Sequence, residues 1–428
     1  MSFACDRKSP EPDALTRRAI SALKDGKPLD SSVKVGALKD ANAKRDILEK
    51  EGEYKPVILP KLFNPGENAC SLSDPGTVTL HKLNRREFIN SVHDLFGDVE
   101  VKPNDLPEDH VGGGFDNNAA ALSVSPGAVT AYKDVAAGIA KNVTSGGGKG
   151  KNDVMACAPG KAQAECFSEA LGRLATKAYR RPVQAGEVSR LTNLAVQELA
   201  QMGETPASAF ELAVQAILLS PQFLYRLEFD SEPNNDKAVH RLDDFELASR
   251  LSYFLWAAPP DDELLSLAKG QTLHSESVLD AQVDRMVASE KFRGFTDSFA
   301  NQWLRANEAD QLMVDSAKYP TFTKSVQANL SKETKMFFAA LISEGKTTND
   351  LLDADFTFLN ADLAKFYGIN GVSGSDFQRV KLTPGIPEHD RRRGILGKSS
   401  YLAASSRSTG TNPIRRGVYA LSDLLCEE

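Results

Sequence analysis

Histidine and cysteine are scarce in this 428-residue chain, at six and five residues. Each shortage removes a class of chemistry. His81, His93, His110, His240, His274 and His389 form no HxxxH or HExxH pair, so a zincin-type centre is unsupported. No CxxCH occurs, so the chain as given attaches no c-type haem. Ser399, Ser400, Ser405 and Ser406 lie in no GxSxG elbow. No apolar run approaches the roughly 18 residues of a membrane-spanning helix. Neither sign of charge dominates: 51 basic and 58 acidic residues leave a net charge of −7, which argues against a nucleic-acid surface. The glycine-rich stretch from Ser145 to Asn152 (SGGGKGKN) lacks GxxxxGK[ST] and a preceding strand, so it reads as a linker.

The N-terminus has no apolar signal core. Cys5, after Ser-Phe-Ala and before a polar Ser/Pro-containing stretch, resembles the end of a lipoprotein cleavage site; the alternative is a plain cytosolic start. Cys157 and Cys166 flank a polar loop of eight residues rich in Gly, Pro and Ala. Such a loop lets two Cα atoms approach to the roughly 4.4–6.8 Å of a disulfide, which would place the chain in an oxidising compartment. The alternative is a pair of reduced, buried thiols. Cys5, Cys70 and Cys426 have no assigned partner.

What is present is helical periodicity. Asp13–Asp25 is an amphipathic helix with Leu15, Ala19, Ile20 and Leu23 on one face, and Tyr54–Phe63 a short extended segment weakened by two prolines. Asn84 with Glu87, and Asp243 with Glu246, have capping-box spacing. Ser125-Pro126, Thr205-Pro206 and Ser220-Pro221 each pair a cap with proline in the first helical turn. Pro182 is expected to stop a helix ending near Tyr179. Residues 275–345 hold three helices, 353–359 a loop, Asn360 caps a helix ending at Gly368, Phe377–Leu382 alternates like a strand, and Arg391–Ala404 and Pro413–Leu425 are the last helices. The fold class is therefore mainly α, a multi-helix globular array with short irregular loops and at most minor β. The expected divisions are an irregular lead-in with one helix (1–80), an N-terminal helical module (81–150), a disulfide-containing module (151–232), a central helical module (233–370) and an Arg-rich C-terminal module (371–428). The stretch Phe210–Ala268, the richest in apolar residues, reads as the hub on which the others pack.

Several long strings carry a resemblance. LNRREFINSVHDLFG with GGGFDNNAAALSVSP, LATKAYRRPVQAGEVSRL, AILLSPQFLYRLE with RLDDFELASRLSYFLWAAPPDDELLSLA, DFTFLNADLAKFYGI and RRRGILGKSSYLAASSRSTGTNPIRRGVYALSDLLC resemble, in order, modules of large secreted bacterial proteins abundant in planctomycetes and myxobacteria. Those modules bear planctomycete surface or cytochrome-type labels. The resemblance covers about 83–426 and implies a CxxCH haem site just beyond the equivalent of Cys426, hence a longer natural protein and a redox or cell-surface partner. It also implies a periplasmic, outer-membrane lipoprotein or extracellular location.

Two site candidates emerge. In the loop Asp105–Asn118, the oxygens of Asp109, Asp116, Asn117 and Asn118 on a glycine-rich backbone suit Ca²⁺; the alternative is a surface loop whose Asp and Asn bond local backbone. Arg407, Arg415 and Arg416, with Arg391–Arg393 nearby, surround the helix start at Asn412-Pro413 and could hold an anion such as a haem propionate or a sulfated glycan; the alternative is pairing with carboxylates. The adjacent acids Asp243/Asp244 and Asp261/Asp262 sit at helix starts, where capping accounts for them. The leading expectation is a helical scaffold of a cytochrome-c-type multidomain protein that positions a haem or redox partner. The alternatives are a polysaccharide- or surface-binding protein and, behind it, a hydrolase with a carboxylate pair across a cleft.

Overall fold

The structure is a computed structural model that describes residues 80–425 except 146–153, 202, 230–231, 233–234 and 236–240. All of them belong to one compact unit, Thr77–Glu428. The helix at Asp13–Asp25, the extended segment at Tyr54–Phe63, Cys5, Cys70, Cys426, His240 and nearly all of the linker lie outside the described residues.

The architecture is mainly α. Strand β1 (His81–Lys82) leads into α1 (Arg85–Phe96), followed by α2 (Pro126–Thr144), α3 (Gln163–Tyr179), α4 (Ala185–Leu199), α5 (Pro206–Leu218) and α6 (Pro221–Leu224). Strand β2 (Tyr225–Arg226) returns antiparallel to β1. The expected caps form: Asn84 and Glu87 exchange side-chain-to-backbone bonds of 2.8 and 3.0 Å, and Ser125, Thr205 and Ser220 each accept from the first turn behind a proline. Helix α3 does end at Tyr179, but three residues before Pro182. Arg180 adopts a left-handed conformation (φ 60°) and turns its guanidinium inward, donating to the carbonyls of Ala178, Phe223, Gln222 and Tyr225 and to the Tyr253 hydroxyl. Burial of that fork with its acceptors outweighs the left-handed backbone penalty, about 1–2 kcal/mol.

These helices share one core, from Leu83, Phe88 and Phe96 through Phe167 and Leu171 to Phe210, Ile217 and Phe223. Cys157 and Cys166 are joined by a disulfide, their Cα atoms 5.2 Å apart.

Helices α7 (Asp244–Trp256), α8 (Asp262–Lys269) and α9 (Glu276–Ala288) enclose a second core of Leu255, Trp256, Leu264 and Met286. Asp243 and Asp261 cap α7 and α8 and Asp261 also pairs with Arg285, while Asp244 accepts from the Leu273 N–H and Asp262 pairs with Lys177. The stretch Phe210–Ala268 is thus not one hub. Phe210–Phe223 enters the first core and Ala248–Ala268 mostly the second, with Tyr253 reaching back to the first.

Next come α10 (Arg293–Trp303), the long α11 (Lys324–Ser343), α12 (Thr348–Asp353), β3 (Phe356–Leu359), α13 (Ala361–Tyr367), β4 (Gln378–Lys381), α14 (Pro387–Asp390), α15 (Ser399–Ala404) and α16 (Pro413–Tyr419), which runs on as a π-helical turn over Ala420–Leu424. Two further cores lie along α11: in its C-terminal half Phe337, Phe338 and Leu341 join the core of Tyr401, and in its N-terminal half Val326 and Leu330 join that of Leu363.

The sequence reading differs from the structure in two places here. Phe356–Leu359, expected as loop, is a strand paired with Gln378–Lys381, because a partner 19 to 25 positions away supplies the ladder. Arg391–Lys398, expected as helix, is a turn with a short 3₁₀ piece at Ile395–Gly397. Gly394 (φ 53°) passes so close to α12 that a Cβ there would lie 1.9 Å from the Leu352 carbonyl oxygen, and at Gly397 it would lie 2.6 Å from that of Arg391. Backbone contact, not helical periodicity, decides this segment.

Candidate functional site

The Asp105–Asn118 loop folds over the start of α1 and borders a cleft of about 440 Å³ lined by Arg85, Arg86, Asn90, Glu108, Asp109 and Asp116, among others. Its shape follows from its glycines. Gly113 and Gly114 have φ of 62° and 86°, and a Cβ on Gly112 would meet the Asn118 amide at 2.9 Å. Asp109 accepts from the Arg85 backbone N–H at 2.6 Å and faces the Lys82 ammonium at 3.6 Å. Asp116 accepts from Asn84 Nδ2 at 3.3 Å and Arg86 Nη1 at 3.4 Å. Both carboxylates therefore neutralise the positive end of α1 and the cations beside it. Asn118 Oδ1 accepts from Ala120 N–H at 3.0 Å, and Asn117 is exposed.

The loop is tied down on its other side too: Gln302 accepts from the Asp116 N–H at 2.6 Å, and Phe115 stacks on Phe299, ring centroids 5.6 Å apart. The four candidate ligands, Asp109, Asp116, Asn117 and Asn118, are thus engaged with protein donors or exposed. Among the described residues no three His, Cys, Asp or Glu side chains are grouped to hold a metal ion.

At the other end, Arg407 sits in a tight turn closed by mutual backbone bonds with Gly410 and is exposed. Arg415 donates to the Tyr419 hydroxyl, at 2.7 Å from Nε, and lies 3.8 Å from Glu308. Arg416 reaches Ser405 Oγ at 3.4 Å. The three do not converge on one point but spread over a turn and two sides of α16. Beneath α16, Arg305 lies 4.1 Å over the Tyr419 ring and pairs with Asp423 at 2.7 Å, while the Trp303 indole N–H donates to the Asp423 carbonyl at 2.6 Å. The Asp423 carboxylate holds the Arg305 guanidinium well above its usual range. The last helix is therefore clamped on its inner side.

Sequence reasoning missed a buried polar cluster. Glu333 and Lys398 are fully enclosed, 3.7 Å apart. Glu333 accepts from Thr357 Oγ1 and the Tyr367 hydroxyl, each at 2.5 Å. Lys398 donates to the Arg392 carbonyl at 3.1 Å and sits 4.3 Å over the Phe337 ring, and Arg392 lies 3.8 Å over the Tyr367 ring. Burial lowers the Lys398 ammonium to about 8, against the opposing pull of Glu333. Burial, reinforced by Glu333, pushes the Tyr367 phenol well up. The cluster ties 391–398 to α11, β3 and α13. Its members are far apart in sequence, and a lone Glu inside a helical pattern carried no signal.

The fold is a mainly α, multi-core helical array with a polar cleft at one loop. Residues 81–145 match the family described as PSD3, protein of unknown function (DUF1587); residues 166–228 match PSD5 (DUF1595); residues 242–369 match PSD4 (DUF1592), each likewise of unknown function. The set is typical of planctomycete and cytochrome-associated proteins. AILLSPQFLYRLE falls within the 166–228 match, not with the central module to which the sequence reading joined it. No curated protein and no solved structure matched the chain.

Proposed function

We propose that this chain is a helical scaffold of a secreted or periplasmic cytochrome-c-type multidomain protein, docking a haem-bearing or redox partner at its Arg-containing C-terminal helix. One observation carries the reading. Ile414, Val418, Leu421 and Leu425 are 81%, 53%, 45% and 44% exposed, forming an apolar ridge on a helix whose opposite side is clamped by Arg305 and Trp303. Ordering a helix while leaving its apolar residues in water is unfavourable unless another surface covers them. Arg407, exposed in the turn that precedes this helix, suits a carboxylate-bearing partner such as a haem edge, while Arg415 is already engaged by Tyr419 and Glu308. The disulfide supports an oxidising compartment, and among the described residues no helix is long and apolar enough to cross a membrane.

The test is a visible absorption spectrum of the natively expressed full-length protein and whatever co-purifies with it. Soret and α bands of a c-type haem are expected; a featureless spectrum overturns the redox part. The alternative, polysaccharide or surface binding without a redox role, draws on the polar cleft with its paired arginines and acids. A glycan array showing saturable binding abolished by Arg86→Ala would favour it.

A further inference from the structure

We propose that the cleft at the start of α1 binds an uncharged saccharide, which rests on the glycan-binding reading above and names the class of sugar. Its volume of about 440 Å³ falls within the range of about 300–1,000 Å³ typical of small-ligand sites. Its lining is polar but electrically closed. Asp109 faces Lys82 at 3.6 Å, and Asp116 faces Arg86 at 3.4 Å. Arg85 and Glu108, one of each sign, complete the charged lining. Lys82, Arg85 and Arg86 thus stand against Glu108, Asp109 and Asp116. A charged ligand would meet a like charge for every opposite one, so net charge does not favour its entry.

Hydrogen-bonding capacity is not closed in the same way. A guanidinium carries several N–H donors and a carboxylate several acceptor positions, more than one ion pair uses. Arg85 commits Nε to the Pro107 carbonyl and Nη2 to that of Leu106, which leaves Nη1. Arg86 commits Nη1 to Asp116 and Ser298, and its enclosed Nε has no partner, an unmet cost that an acceptor beside it would remove. Asn90 gives Nδ2 to the Ala257 carbonyl, and no described residue engages its Oδ1. Glu108 is exposed, and among the described residues it has no hydrogen-bond or ion-pair partner. Spare donors and spare acceptors therefore line one cleft without spare charge. A hydroxyl group, donor and acceptor at once, uses both. Ile89 and Pro103 supply the apolar part of the lining, which suits the C–H face of a sugar ring.

The probes are uncharged linear trisaccharides of glucose, mannose and N-acetylglucosamine, with sulfated and uronate-bearing counterparts, each titrated into the full chain and followed by saturation-transfer NMR. An uncharged probe should bind saturably, with the same Kd at about 50 mM and about 500 mM salt, because it carries no charge to be screened. Glu108→Ala should weaken that binding about tenfold through loss of a hydrogen bond to a charged group, with the melting temperature unchanged because the side chain is exposed.

Binding confined to the sulfated or uronate-bearing probes, and lost in salt, overturns the uncharged assignment and leaves the glycan reading standing. Absence of binding by every probe overturns both. Uncharged binding that Glu108→Ala leaves untouched places the sugar elsewhere on the chain and overturns the site. All three results are independent of the haem spectrum, so the redox reading stands or falls separately.

Discussion

Replacing Glu333 with glutamine separates charge from shape at the buried cluster. Glutamine keeps an acceptor for Thr357 Oγ1 and fills the same space, but leaves the enclosed Lys398 ammonium without its counter-charge. In the native chain burial holds that ammonium near 8, below the value of about 10.4 for a free lysine, although Glu333 pulls it upward. Removing Glu333 lowers it further. A lysine with a depressed folded value binds fewer protons in the folded state than in the unfolded state, between the two values. Stability therefore rises with pH through that window, in wild type from about 8 and in Glu333→Gln from a lower pH.

The difference between the two proteins is then largest in mild acid and closes once Lys398 is neutral in both. Breaking a buried pair by removing one partner costs about 3–5 kcal/mol, and part of that is recovered by deprotonation. A gap of about 3 kcal/mol near pH 6 should fall below about 1 kcal/mol near pH 9.5. Urea unfolding followed by tryptophan fluorescence reads it, since Trp303 meets Phe338 edge-on in the core that also holds Phe337 and Phe356. Tyr367 loses the part of its upward shift that Glu333 supplies, but burial, the larger cause, remains in both proteins. A gap that does not change with pH would refute the electrostatic account and leave only packing.

Three other outcomes are expected. Arg180→Met should cost about 3 kcal/mol or more, because the carbonyls of Phe223, Gln222 and Tyr225 lose their donor inside the first core, and Arg180→Lys should not restore it; thermal melts of the three proteins decide this. Cys157→Ser with Cys166→Ser should lower stability by about 2.5 kcal/mol through lost loop closure, and reductant should lower the wild type to the same level while leaving the variant unmoved. His81, lowered to about 3 by burial and by the neighbouring Arg226, should show no ring titration by NMR between about pH 7 and 4; because the unfolded chain takes up that proton first, stability should fall with pH below about 6.5, and less so in His81→Gln.

The local signals proved readable and the long-range ones did not. Asn84, Ser125, Thr205, Ser220, Asp243 and Asn360 all cap the helices that their spacing announced, because capping involves residues within three positions of each other. The Cys157–Cys166 bridge was equally local. The strand Phe356–Leu359 was not readable, since a four-residue segment takes its state from the partner beside it. Nor was the turn at Arg391–Lys398, whose residues favour helix until Gly394 meets the Leu352 carbonyl.

The site followed the same division. Sequence composition marked the Asp105–Asn118 loop, but only the fold delivered Asp109 and Asp116 to the cations and N–H groups at the start of α1. Composition also marked the arginines around Pro413, and only the fold spread them apart. By itself, then, the sequence determined most of the helices, their caps, the disulfide and the mainly α class, all set by interactions within a turn or a short loop. Tertiary structure alone decided which charges are buried together and which apolar face is left outside. Glu333 and Lys398 are 65 positions apart, and the ridge at Ile414–Leu425 is exposed because its helix is clamped through Tyr419 and Asp423 on the other side.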